Sequence, residues 1–105
     1  MTTLDNRKNT FENKFAHDEE LRFKATARRN KLFGLWVAAE LGIADAEAYA
    51  KEVVKADFEK PGDDDVIEKV TADFTKAGKP MPEATLRAQL AKMFDKAKEQ
   101  IMSEA

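Results

Sequence analysis

The sequence predicts an all-α fold: an irregular four-helix bundle over residues 18–105, preceded by a flexible N-terminal arm over residues 1–17. Three observations carry that prediction. Apolar residues recur at spacings of three and four, the period of a helix with one covered face. Nowhere do they alternate with the period of two that a half-buried strand needs. Apart from Gly34, the 4 Gly and 3 Pro residues fall between the periodic stretches and divide them into four.

The first helix is expected from Asp18 to Leu41. Asp18, Glu19 and Glu20 open it; Arg22, Lys24, Arg28, Arg29 and Lys31 follow. Acid first and base later suits the helix dipole. Asp18/Arg22 and Glu20/Lys24 are spaced as i,i+4 pairs. Leu21, Ala25, Leu32, Leu35 and Ala39 mark its covered face, and Phe33, Trp36 and Val37 widen that face toward all-round burial. Such a helix belongs at the centre of its domain. Gly42 suits the left-handed position after the last turn.

The second helix is expected over 46–59, with Asp45 as N-cap. Ala46, Tyr49, Ala50, Val53 and Phe58 form its stripe, with Val54 alongside and the Tyr49 hydroxyl at the surface. Pro61 and Gly62 end it. The third is expected over 64–77, opening in Asp63-Asp64-Asp65 and carrying Ile67, Val70, Phe74 and Ala77 on one face. Gly78 and Pro80 stop it. The fourth is expected over 82–102, with Pro82 at its first position and the stripe Leu86, Leu90, Met93, Ala97 and Ile101, Phe94 lying beside it. Leu32, Leu35, Trp36, Val53, Val70, Phe74, Leu90 and Met93 should share one core. The bundle is irregular because the two middle helices are short.

Composition excludes several classes of function. A net charge of −2 argues against nucleic acid as a partner. With no Cys and one His, neither a thiolate nucleophile nor a His-based metal cage can be built. Isolated Gly residues make no phosphate loop, so neither an enzyme nor a cofactor is expected. The longest apolar run, Leu32 to Ala39, is too short to span a bilayer, and the N-terminus lacks a secretory apolar core. A cytoplasmic monomer is the default expectation. Asp63-Asp64-Asp65 reads as a helix start rather than a cation loop, whose spacing is absent. His17 reads as an exposed residue at the edge of the first helix, with pH sensing as the alternative.

The first 17 residues stand apart. Leu4, Phe11 and Phe15 share a helical face, but Lys8 interrupts it, and Asn6, Asn9, Thr10 and Asn13 are indifferent helix formers. Fixing each backbone unit costs roughly 1–2 kcal/mol. Burying a large apolar side chain returns about 1.5–3 kcal/mol, and there are three such residues against some 16 to be fixed. Alone, the segment should fray. It either orders on a partner or is an idle tail. Arg28, Arg29 and Lys31 pose a second choice. Arg28 falls on the face of Leu21, Leu32 and Leu35, so its stem should be partly covered and its charge should meet a carboxylate or a bound anion. Pairing with an acid of another helix is one reading; a phosphate site for ATP or ADP, in a small nucleotide-responsive module, is the other.

The stretch FENKFAHDEELRFKATARRNKLFGLW, followed by AAELG, AEAYAKEVVKADFE and GDDDVIEKV, strongly resembles the zeta subunit of alphaproteobacterial F-type ATP synthases, and the likeness covers essentially the whole chain. The resemblance implies an ATPase inhibitor. In that family the N-terminal arm enters the catalytic head between catalytic subunits and blocks rotation in the hydrolytic direction. Leu4, Arg7, Phe11 and Phe15 would then be the contacting residues of the arm. The partner would be the head of the ATP synthase, and the location the cytoplasmic face of the inner membrane, reached through that complex.

Overall fold

The computed structural model describes residues 10, 12–57 and 62–104. Among them the chain is all-α. Residues 12–17 are helical. Four longer helices follow: α1 (Glu19–Leu41), α2 (Ala46–Ala56), α3 (Asp64–Lys76) and α4 (Glu83–Glu104).

Each boundary has a local cause. Asp18 has extended backbone, φ −108° and ψ 106°, and its carboxylate accepts the Leu21 N–H at 3.1 Å, so it caps α1. Gly42 takes the left-handed conformation, φ 71°, and lets Ile43 donate to the Ala38 carbonyl at 2.9 Å. Asp45 caps α2 by accepting from the Ala48 N–H at 3.1 Å. The described part of α2 ends at Ala56, so Phe58 and Pro61 lie outside the described residues. The carbonyl of Pro82 accepts from Thr85 and Leu86, which starts α4. That helix continues to Glu104, beyond the expected 102.

The long first helix is central, as expected: α1 packs most extensively on α2 and α4. Phe33, Val37 and Ala38 of α1 meet Tyr49 and Val53 of α2, Val66, Ile67, Val70 and Phe74 of α3, and Leu86 and Leu90 of α4. The covered face of α1 is turned from the expected one. Its buried residues are Ala25, Arg29, Asn30, Phe33, Gly34, Val37 and Ala38. Leu21, Leu32, Leu35 and Trp36 are half-buried, and Ala39 is exposed. Gly34 explains the turn. A Cβ there would lie 2.7 Å from the Ala50 Cα, so α2 crosses α1 on the bare side of the glycine. Trp36 borders the core, stacked on Phe33 at 5.9 Å and tilted against Phe74 at 6.3 Å. Ala77, just past the end of α3, is exposed, Val66 joins the buried face of α3, and Met93 only flanks the core. The Tyr49 hydroxyl does not face solvent freely; it donates to Asp73 Oδ2 at 2.6 Å.

Candidate functional site

Among the described residues, the helical stretch 12–17 meets α4 around Phe15. Leu4, Arg7 and Phe11 lie outside the described residues, and Phe15 is described. The helical residues 12–17 run up to Asp18, whose extended backbone separates them from α1. The Phe15 ring meets the Phe94 ring edge to face, with centroids 5.7 Å apart and planes at 60°. Lys98, one turn on from Phe94, places its Nζ 5.4 Å from the Phe15 centroid and 5.3 Å from that of Phe94. The same ammonium lies 3.8 Å from a Glu12 carboxylate oxygen and 4.0 Å from Asp95. The Arg29 guanidinium also lies over the Phe94 ring, at 5.8 Å. Two cations therefore share one ring with Phe15.

The sequence pattern puts Phe94 beside the core stripe of α4 and does not single out Lys98; that both face Phe15 is not read from it. The available signal was the i,i+4 spacing of an aromatic and a cation on a half-covered face.

Arg28, Arg29 and Lys31 of α1 point to three different acidic partners. Arg28, half-buried, makes a bidentate pair with Glu104 at the end of α4, one arm of it at 2.9 Å. The hydrogen bonds raise Arg28 above its ordinary pKa and hold the Glu104 carboxyl below the usual carboxylate range. Arg29 is the buried cation, with 6% exposure. It donates through Nε and Nη2 to Asn30 Oδ1 at 3.0 and 2.9 Å, and pairs with Asp63 at 2.9 Å. Lys31 is exposed and lies 3.7 Å from Glu47. It rims a groove of about 300 Å³ between α1 and α2, with Ala50 and Val54 as its apolar lining. Each of the three charges has a carboxylate of another element within 4 Å, the first of the two readings the sequence offered, and a phosphate at this site would compete with those carboxylates.

The acidic run 63–65 is dispersed in the same way. Asp63 occupies the N-cap position of α3, yet its side chain makes no capping bond and serves Arg29 instead. Asp64 accepts from Arg87 at 2.8 Å. Among the described residues, no three metal-ligating side chains converge. His17 is exposed at the end of the 12–17 helix. No helix among the described residues is long and apolar enough to cross a membrane.

Compared with known proteins, the chain matches the model of a family described as ATPase inhibitor subunit zeta, over residues 1–100. No curated protein matches it.

Proposed function

The chain belongs to the ATPase inhibitor subunit zeta family, and on that premise we propose that it is a regulatory subunit of an F-type ATP synthase that inhibits ATP hydrolysis by inserting residues 1–17 into the catalytic head. The observation that carries the reading is the extent of the family match, which takes in the N-terminal segment as well as the helices. Three features of the chain support the division of labour. The core cluster contains no residue before Phe33, so the helices α1 to α4 do not need the arm. Asp18 caps α1 from its own side chain, which gives the folded part an independent start. The arm carries Leu4, Phe11 and Phe15 on one helical face by spacing, too little apolar surface to fold alone and enough to seat in a preformed groove.

A groove between catalytic subunits changes shape as the shaft turns. A helix seated there resists rotation in the direction that would close the groove on it, and is expelled in the other. The chain needs no chemistry of its own for this; the arm acts by occupying space. Binding to the head would also place the protein at the cytoplasmic face of the membrane that holds the synthase.

The test of the contact residues is steady-state ATP hydrolysis by the isolated catalytic head, with the wild-type chain and the Phe11→Ala, Phe15→Ala double variant added. The double variant should inhibit at least about tenfold more weakly, since each lost ring removes roughly 1.5–3 kcal/mol of burial. Equal inhibition by both would remove Phe11 and Phe15 from the contact.

A further inference from the structure

We propose that Phe94 and Lys98, in the C-terminal half of α4, form a docking surface for the root of the arm, and that this contact withholds the arm from the catalytic head until it opens. The proposal rests on the inhibitory-arm reading and adds a regulation to it.

Spacing places Phe15 on the same helical face as Leu4 and Phe11, the face that would seat in the head. In the free chain the Phe15 ring is spent on Phe94, with centroids 5.7 Å apart. One face of a helix cannot line α4 and a groove of the head together, so docking and insertion compete.

Lys98 holds the contact together. Its ammonium lies against both rings, at 5.4 and 5.3 Å, 3.8 Å from Glu12 and 4.0 Å from Asp95, so one cation meets two residues of the arm root and two of α4. Its side chain is only 21% exposed, which places the charge between the elements rather than in bulk water. Asp18 supplies the pivot. Its backbone is extended between two helical segments, and its carboxylate already satisfies the Leu21 N–H. The arm can swing away without uncapping α1.

The contact is small: one edge-to-face aromatic pair, one shared cation and one ion pair. Such contacts shift an equilibrium by about three- to tenfold, enough to bias the arm and weak enough for a partner to open. Its electrostatic part weakens as salt rises.

Lys98→Glu tests the proposal, because it leaves residues 1–17 unchanged, removes the cation from both rings and sets a carboxylate against Glu12. Lys98→Gln, which removes the charge without repulsion, is the second variant, and circular dichroism checks that both stay helical. Two readouts are taken: the nuclear Overhauser contact between the Phe15 and Phe94 rings in the free chain at low salt, and the concentration giving half-inhibition of ATP hydrolysis by the isolated catalytic head. The wild type should show the ring contact and Lys98→Glu should lose it. Half-inhibition should fall about three- to tenfold for Lys98→Glu, with Lys98→Gln between. Absence of the contact in the wild type, its persistence in Lys98→Glu, or its loss without a gain in potency would each overturn the proposal. A chain lacking residues 1–17 is assayed alongside. Full inhibition by that chain would overturn the arm reading itself, a result distinct from an unchanged Lys98→Glu.

Discussion

Gly34 and Ala50 mark the closest approach of α1 and α2: a Cβ added to Gly34 would stand 2.7 Å from the Ala50 Cα and 3.3 Å from the Val53 Cβ. The obstacle is backbone, which cannot rotate out of the way. In an isolated helix Gly→Ala gains about 1 kcal/mol. Here overpacking should win, at a cost of about 1–3 kcal/mol. Urea unfolding of Gly34→Ala should therefore show a lower midpoint than the wild type. A higher midpoint would mean that the helices can separate at this crossing without loss.

Arg29 and Arg28 are sequence neighbours with different roles. Arg29→Met should cost about 1–3 kcal/mol, because the buried Asn30 Oδ1 loses both its donors and Asp63 loses its partner. Arg28→Met removes a half-exposed pair with Glu104 and should cost under about 1 kcal/mol. Thermal or urea unfolding of the two variants gives the order directly. A larger loss at Arg28 would show that the charge facing the core had been misassigned.

Tyr49 is the only tyrosine in the chain, so its ionisation can be followed alone by phenolate absorbance. Burial, first, and then the hydrogen bond donated to Asp73 push its pKa up from the ordinary value. A folded-state pKa above the unfolded value of about 10 means that the native state holds the proton longer. The resulting stability is complete below about pH 10 and is lost as pH rises beyond it, by up to about 1.4 kcal/mol per pH unit. Wild-type phenolate absorbance should appear together with unfolding, and Tyr49→Phe should lose less stability than the wild type between about pH 10 and 11. Phenolate appearing near pH 10 in a chain that stays helical would contradict the burial of this hydroxyl.

The fold class and most helix ends were legible because their causes are local. Asp18, Asp45, Gly42 and Gly78 each act within a turn of their own position. The covered face of α1 was not legible in the same way. Between Leu32 and Ala39 every residue is apolar or glycine, so periodicity could not choose among faces, and the choice fell to Gly34 meeting Ala50. Arg28 is partly covered and meets an acid of another helix, Glu104, as its place in the sequence suggested, but the turned face also buries Arg29, which the pattern did not single out. At the candidate site, spacing to Leu4 and Phe11 singled out Phe15, though not the ring it meets in this structure. Phe94 and Lys98 carried only the weak signal of an aromatic and a cation four residues apart, and nothing local says which distant segment meets them. Leu4, Arg7 and Phe11 lie outside the described residues, so their part in the arm rests on sequence and family.

The most direct measurement of the central claim is steady-state ATP hydrolysis by the isolated catalytic head of the same organism, with either the full chain or a chain beginning at Asp18 added. The shortened chain keeps the Asp18 cap and the whole core cluster, so it should stay helical and unfold cooperatively. The full chain should inhibit hydrolysis, and the folded, shortened chain should not. Undiminished inhibition by the shortened chain would move the active surface to α1–α4 and contradict the account.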